Sequence, residues 1–365
     1  MGDLLVMINS NLKNKIKKED IFSNTIDLRH LKRIDKVFNK GLPFYLDPKN
    51  IIKSKEASIF FRKKQFNSEL NIGAKKIVNH FEEMKLSLSA ISKLAEIDIS
   101  RKIPVYSVKD NPKEVAKEIR KILYPDFNRN LKTFLKSLIS KLADNNILVF
   151  EFVETWNKKE IANIDGFFIN PNVIVIKRYQ RAFRREIFTL IHELGHFLIN
   201  EEEIEKISFN YLAQDNLSKI ERWCNDFSYH FLAGEHGEML DNIERATEKN
   251  DFHFSLIDAI SKETHLSRIA LFTRLLYQKK ISKKNYHTIK ASFDEEYRLK
   301  QEEEKLKKEV EKEMGIKHQG RSPQPIKSPL LISTVQTAFY EGILNEYQVC
   351  KTLNINPKKL DKYLL

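Results

Sequence analysis

At 365 residues the chain exceeds the usual size of one domain, so two or three modules are expected. Hydrophobic residues at 41% and aromatics at 10% exclude wholesale disorder, and two cysteines, Cys224 and Cys350, exclude a disulfide framework and fit a reducing compartment. A net charge of +13 suits nucleic acid or an acidic protein partner, but the lysines are spread through nearly every segment, as on any solvated Lys-rich surface. No stretch approaches the ~18 apolar residues of a membrane span, and the opening MGDLLVMINSNLKNK lacks the pattern of a signal peptide, so the expected location is the cytoplasm.

Residues 1–127 read as a mainly helical accessory region. Spacing predicts a helix over Asn24 to Asn39, closed by Gly41 and Pro43. SIFFRKKQF (58–66) has strand-like character, and two helices follow, Leu70 to Met84 and Ser87 to Ile97. Asp110, Asn111 and Pro112 supply the cap and first turn of a helix through Leu123.

The region 128–290 reads as the main module. It opens with a helix over Leu131 to Leu142, where Phe134, Leu135, Leu138 and Ile139 keep helical spacing. Strands are expected over Ile147 to Val153, Gly166 to Ile169 and Val173 to Ile176, with Asn170-Pro171-Asn172 as a hairpin turn. A hairpin edge of this kind can accept an extended peptide as a further strand.

Arg184 to Asn200, RREIFTLIHELGHFLIN, then places His192, Glu193 and His196 on one helix. At ~3.6 residues per turn the two imidazoles fall about 40° apart and can grip one ion. Zinc accepts neutral His nitrogens, and Glu193 is suitably placed to act as general base toward a water. Ile187, Leu190, Ile191, Leu194 and Leu198 form a separate stripe for packing. Gly195 costs the helix ~1 kcal/mol against Ala, a cost understandable where a neighbouring backbone or a substrate passes close. The arginines that precede the helix oppose its macrodipole, so Arg184 or Arg185 should have partners.

A catalytic zinc usually needs a third protein ligand. Glu221 opens the helix IERWCNDFSYHFLA, and Asn225, one turn on, lies on the same face as a candidate supporting hydrogen-bond partner. Ser218-Lys219-Ile220-Glu221 fits a capping box equally well, in which Glu221 would turn back to the backbone. Other carboxylates and imidazoles within reach in sequence are Glu201, Glu202, Glu203, Glu205, Asp226, His230 and Glu235. No oxyanion donor is identifiable; Tyr211, Tyr229 and His230 are the candidates.

The order of a short antiparallel sheet, a HELGH helix and an ERWCNDF helix resembles the ImmA/IrrE family of zinc metallopeptidases over about Leu131 to Leu232. HELGH is shared by many zinc peptidases, whereas its combination with ERWCN is much more specific. The resemblance implies an α+β, zincin-like module with Zn2+ held by His192, His196 and Glu221, and places Asn225 and Phe227 at the positions that follow the ligand Glu. It also implies an endopeptidase acting on a protein partner, such as a transcriptional repressor or an antitoxin-like regulator, in a stress or mobile-element response. The chain departs from the family where Leu232-Ala233-Gly234 replaces a Met-Pro, and where the usual N-terminal helix-turn-helix is missing.

Downstream, Leu256 to Tyr277 combines two helices around His265-Leu266-Ser267; Arg268 and Arg274 could meet phosphates, but packing onto the catalytic module is the favoured reading. Residues 291–314 read as a charged, solvated helix, 315–329 as a linker and 330–365 as a small detached helical module. The competing functional class is a DNA-binding or antitoxin-type regulator with a structural or vestigial zinc site, for which a carboxylate at the general-base position would serve no purpose.

Overall fold

The computed structural model describes residues 5, 8–9, 14–23, 25–38, 41–46, 70–153, 161–178, 183–202, 218–246, 252–314 and 324–364. The strand-like 58–66 segment, Tyr211, Glu203 and Glu205 lie outside these residues.

Three strands, β1 (Leu148–Val153), β2 (Gly166–Ile169) and β3 (Val173–Arg178), form one sheet in the order β1-β3-β2. The β2–β3 hairpin turns at Asn170-Pro171-Asn172 and pairs antiparallel, with Ile169 opposite Val173. β1 runs parallel to β3, Leu148 opposite Val173, so the sheet is mixed and not the antiparallel sheet expected. β3 is central, and β2 stands in sequence between the parallel pair β1 and β3, so the connection from β1 to β3 has the length a parallel pairing needs.

Strict alternation sends the two sets of side chains to two different cores. Val149, Phe168, Ile174 and Ile176 join one apolar cluster with the helices on one face, while Leu148, Phe150, Phe152, Phe167, Ile169, Val173 and Val175 join another on the opposite face. Burial on both faces is why these strands read as near-continuous apolar runs.

On the first face lie α3 (Pro112–Leu123), α4 (Leu131–Asp144), α5 (Phe183–Ile199), α6 (Lys219–Ala233), α8 (Phe254–Glu263) and α9 (Arg268–Tyr277), with the short α7 (His236–Asp241) between the last two pairs. Asn111 and Asn130 cap α3 and α4 through their side chains, Pro112 taking the first position of α3. The second face is covered by α2 (Ile72–Leu94) and by α11 (Pro329–Tyr340) and α12 (Glu346–Leu353). α2 is one continuous helix where two were expected, because Lys85 and Leu86 break no helical hydrogen bonding and Leu88 and Ile91 carry its buried stripe onward. The C-terminal helices, expected to stand off on a linker, instead bury Leu331, Val335, Val349 and Leu353 against the sheet side of this core. Ile326 ties the approach to α11 down by donating its N–H to the buried Glu151 carboxylate of β1.

α1 (Leu28–Phe38) belongs to a small separate apolar cluster with Ile8, Ile16 and Ile21. α10 (Lys283–Glu313) begins inside the first core through Tyr286 and Ile289 and then leaves it. Beyond Phe293 it is solvated and carries the expected spaced ion pairs, Arg298 with Glu295 and Glu302, and Lys300 with Glu296. No described helix is long and apolar enough to cross a membrane.

Candidate metal centre

α5 packs against β2 and β3 with its apolar stripe and turns His192 and His196 toward α6. The close approach of the two helices depends on Gly195: a Cβ there would stand 3.1 Å from Cβ and Sγ of Cys224 and 3.2 Å from its Cα. The glycine is thus required by a neighbouring backbone, α6. Trp223 secures α6 from the other side, donating its indole N–H to the Asp110 carbonyl at 2.8 Å and stacking on Phe227.

Of the two roles that spacing left open, Glu221 takes the one toward the imidazoles, and its side chain does not turn back to the backbone. Its backbone N–H donates to Ser218 Oγ at 3.1 Å, capping α6, while its side chain leaves the helix for the imidazoles. Oε2 lies 3.1 Å from His192 Nε2 and Oε1 lies 3.1 Å from His196 Nε2, and the two Nε2 atoms are 3.2 Å apart. One ligand atom from each of the three buried residues lies within 4.8 Å of the others, an arrangement that can hold a metal ion.

The remaining imidazole nitrogens point outward to acceptors. His192 Nδ1 is 3.0 Å from Asn225 Oδ1, and His196 Nδ1 is 3.1 Å from the Glu201 carbonyl oxygen. Each Nδ1 therefore carries a proton and donates it, so Nε2 is the nitrogen that can give a lone pair to a metal ion in the neutral imidazole. Burial opposes the charged form of Glu221, but the adjacent His192 and His196 outweigh it and hold the carboxyl well below its ordinary range.

Glu193 lies beside this triad, with its Cγ close to Gly166 at the start of β2. Burial pushes its carboxyl up to about 7, against the opposing pull of His196 and His192, and its Oε2 is buried with no hydrogen-bond partner among the described residues. Gly166 makes room for it: a Cβ there would be 2.7 Å from Thr189 Cγ2, 3.0 Å from the Val175 carbonyl oxygen and 3.1 Å from Glu193 Cγ. An orphaned buried carboxylate oxygen beside two imidazoles and a carboxylate fits the chemistry of a metal-dependent hydrolase site.

The other sequence candidates go elsewhere. Glu202 accepts the Asn170 N–H at 2.7 Å, Asp226 pairs with Arg274 at 2.5 Å, and Glu235 lines a surface cavity with Arg120 and His236. Tyr229 and His230 sit against Arg274 and Gly237, on the side of α6 toward α7 and α9, so neither joins the triad. Arg184 and Arg185 find the expected partners, Ser261 and the Leu266 carbonyl for the first and Asp165 for the second. Arg268 is held by Asp258 and Glu296.

Residues 145–237 match the IrrE N-terminal-like domain, family Peptidase_M78. The match bears out the ImmA/IrrE likeness carried by HELGH and ERWCNDF, and gives this segment a metallopeptidase-like role. Neither a curated protein nor a solved structure matches the chain. The IrrE-like segment contains β1 to β3, α5 and α6, hence the whole triad and Glu193; α2 to α4 and the C-terminal helices lie outside it. Where the family's Met-Pro would stand, Gly234 takes φ +55° at the end of α6, and the Arg120 guanidinium lies against it, donating to the Phe231 carbonyl.

Sequence reasoning missed Arg101. Its guanidinium donates to the Phe197 carbonyl at 2.6 Å and the Leu198 carbonyl at 3.2 Å, at the end of α5. It missed the buried cluster of Glu151, Arg178 and Glu186 as well, in which Arg178 pairs with Glu186 and stands 3.8 Å from Glu151. No pattern in the neighbouring sequence signals either.

Proposed function

We infer that the protein is a zinc-dependent endopeptidase of zincin-like architecture, with His192, His196 and Glu221 as the metal ligands and Glu193 as the general base. The single observation that carries this reading is the convergence of His192 Nε2, His196 Nε2 and both Glu221 oxygens, at 3.1–3.2 Å, beside a buried Glu193. Two neutral imidazoles and one carboxylate are the donor set of a three-ligand catalytic zinc site, which keeps a fourth position open. Zinc, when bound, supplies the Lewis acidity that polarises a peptide carbonyl and acidifies water.

The chain's own residues supply the rest. Asn225 and the Glu201 carbonyl hold the imidazoles in the tautomer that presents Nε2. Glu193, with a carboxyl at about 7, is poised to accept a proton near neutrality and return it to the leaving amide nitrogen. β2 is an edge strand of the described sheet, and its first residue, Gly166, stands beside Glu193, so an extended peptide paired to that edge would bring its backbone to the base. We take the substrate to be a regulatory protein such as a repressor or an antitoxin-like factor, and the site of action to be the cytoplasm; the family likeness supports a protein substrate.

Glu193→Gln is expected to retain zinc, measured by elemental analysis, while losing cleavage of a captured protein partner by at least about 10²-fold. Cleavage by the variant at the parent rate would sink the mechanism. Glu221→Ala should lose most of its zinc, and full occupancy would remove Glu221 from the ligand set.

A further inference from the structure

α5 ends in a tightly specified turn. Asn200 takes the left-handed conformation at φ +56°, its N–H donates to the Phe197 carbonyl, and the Glu201 N–H donates to the His196 carbonyl, both at 3.1 Å. This pattern of paired reverse hydrogen bonds closes a helix and satisfies its last carbonyls. Here it does more, because the Glu201 carbonyl oxygen is the acceptor for His196 Nδ1. The same residue thus closes the helix through its N–H and orients a ligand imidazole through its carbonyl.

Arg101 is built onto that turn. Its Nη1 donates to the Phe197 carbonyl at 2.6 Å and its Nη2 to the Leu198 carbonyl at 3.2 Å, and its Cζ stands 3.8 Å from the Phe197 ring centroid. Nε at 2.6 Å and Nη2 at 3.0 Å also donate to the carbonyls of Ile103 and Pro104, so the guanidinium is fixed by its own irregular segment of chain. The Tyr106 N–H completes the clamp by donating to the Leu198 carbonyl at 2.9 Å. A planar five-donor group stacked on an aromatic ring and anchored on both sides leaves the last turn of α5 no freedom to unwind. A cation at a helix C-terminus also complements the macrodipole.

We propose that Arg101, from outside the IrrE-like segment, is a positioning residue for the metal centre: by pinning the last turn of α5 it keeps the Glu201 carbonyl on His196 Nδ1 and so holds His196 Nε2 toward the metal. This rests on the metallopeptidase reading for its purpose, but the clamp is made by the chain's own groups. Partners of an imidazole ligand's second nitrogen are worth about 10- to 100-fold in metal affinity, and the clamp acts through one of them.

The experiment compares Arg101→Ala and Arg101→Lys with Arg120→Ala. Arg120 is a matched control: it also donates to a helix-end carbonyl, that of Phe231 in α6, and stacks on a ring, with Cζ 3.4 Å from the Tyr124 centroid, but the turn it holds carries no proposed ligand. Two quantities are read on the full chain: zinc affinity by competition with a chelator, and, in the zinc-free protein, the protection of the His196 Nδ1–H from solvent exchange in 1H–15N spectra, which reports its hydrogen bond to the Glu201 carbonyl. Both Arg101 variants are expected to bind zinc about tenfold or more weakly and to lose that protection, and millimolar guanidinium should restore part of both in Arg101→Ala. Arg120→Ala should keep parent values in both despite its own loss of thermal stability. Parent affinity and parent protection in the Arg101 variants would overturn the proposal, as would equal losses in Arg120→Ala. Should Arg101→Ala not fold, Arg101→Lys, which keeps the charge but not the fork, decides on the same readouts. If the parent takes up no zinc, the metallopeptidase reading falls, and the Nδ1–H protection alone decides the clamp.

Discussion

His192 and His196 present Nε2 inward because each Nδ1 is given an acceptor, one a side chain and the other a backbone carbonyl. The difference is testable at Asn225. Asn225→Ala removes the acceptor for His192 Nδ1 and should weaken zinc binding about tenfold by chelator competition while leaving the α6 helix intact by circular dichroism. Unchanged affinity would show that packing alone orients His192. Gly166→Ala should act on the neighbouring base: the added methyl meets Thr189, the Val175 carbonyl and Glu193, so we expect a loss of about 1–3 kcal/mol in denaturant unfolding and a larger fall in kcat than in zinc content. This part of the site was largely legible in the sequence. His192, Glu193 and His196 follow from helical spacing, because each acts through its own side chain from one regular helix. Spacing left Glu221 between a ligand and a capping box, and only the family resemblance placed it, with Asn225, beside the imidazoles. Arg101 was not legible, since what it recognises is backbone, 96 and 97 residues away in the chain, and a carbonyl leaves no mark on the sequence.

Helices and strands show the same division. Caps at Asn111, Asn130 and Ser218 and the turn at Asn170-Pro171-Asn172 are local signals, and the elements they bound are found where spacing predicts them. Pairing is not local: β1 beside β3, in parallel, depends on which face of each strand can be buried, and an apolar run buried on both faces does not announce its neighbour. The cover on the second face was equally hidden, because GRSPQPIKSP has the composition of a linker whether or not the helices after it dock. Docking makes a prediction for α11. Val335 is fully buried between this helix and the sheet-side core, so Val335→Asp should bury an unpaired carboxylate and lower stability by about 3 kcal/mol or more. A thermal midpoint equal to the parent's would mean that the C-terminal helices do not cover the sheet in solution.

Across the molecule, buried titratable groups tilt stability in two opposite directions with pH. His265, buried between Phe127 and Phe134 and repelled by Arg184 and Arg120, is pushed down to about 4, chiefly by burial. Between pH 6.5 and 4 the unfolded chain takes up a proton there that the folded chain refuses, so this contribution is full above 6.5 and is lost on acidification. Glu151, buried in β1 with Arg178, Glu186 and the Ile326 N–H around it, is pushed up to about 7, again chiefly by burial. Here the folded chain holds a proton that the unfolded chain has released, so the contribution is full below about 4.5 and is lost as pH rises to 7. The two tilts overlap and partly cancel in the parent between pH 4.5 and 6.5, and single variants should separate them. His265→Phe, which forfeits no hydrogen bond at the unpartnered Nε2, should reduce the fall in Tm between pH 6.5 and 4.5. Glu151→Gln, whose amide oxygen can still accept the Ile326 N–H, should reduce the fall between pH 5 and 7.5, each effect being on the order of 1–3 kcal/mol. Melting curves of the two variants that run parallel to the parent's across both windows would show that these buried groups keep their ordinary protonation in the folded chain.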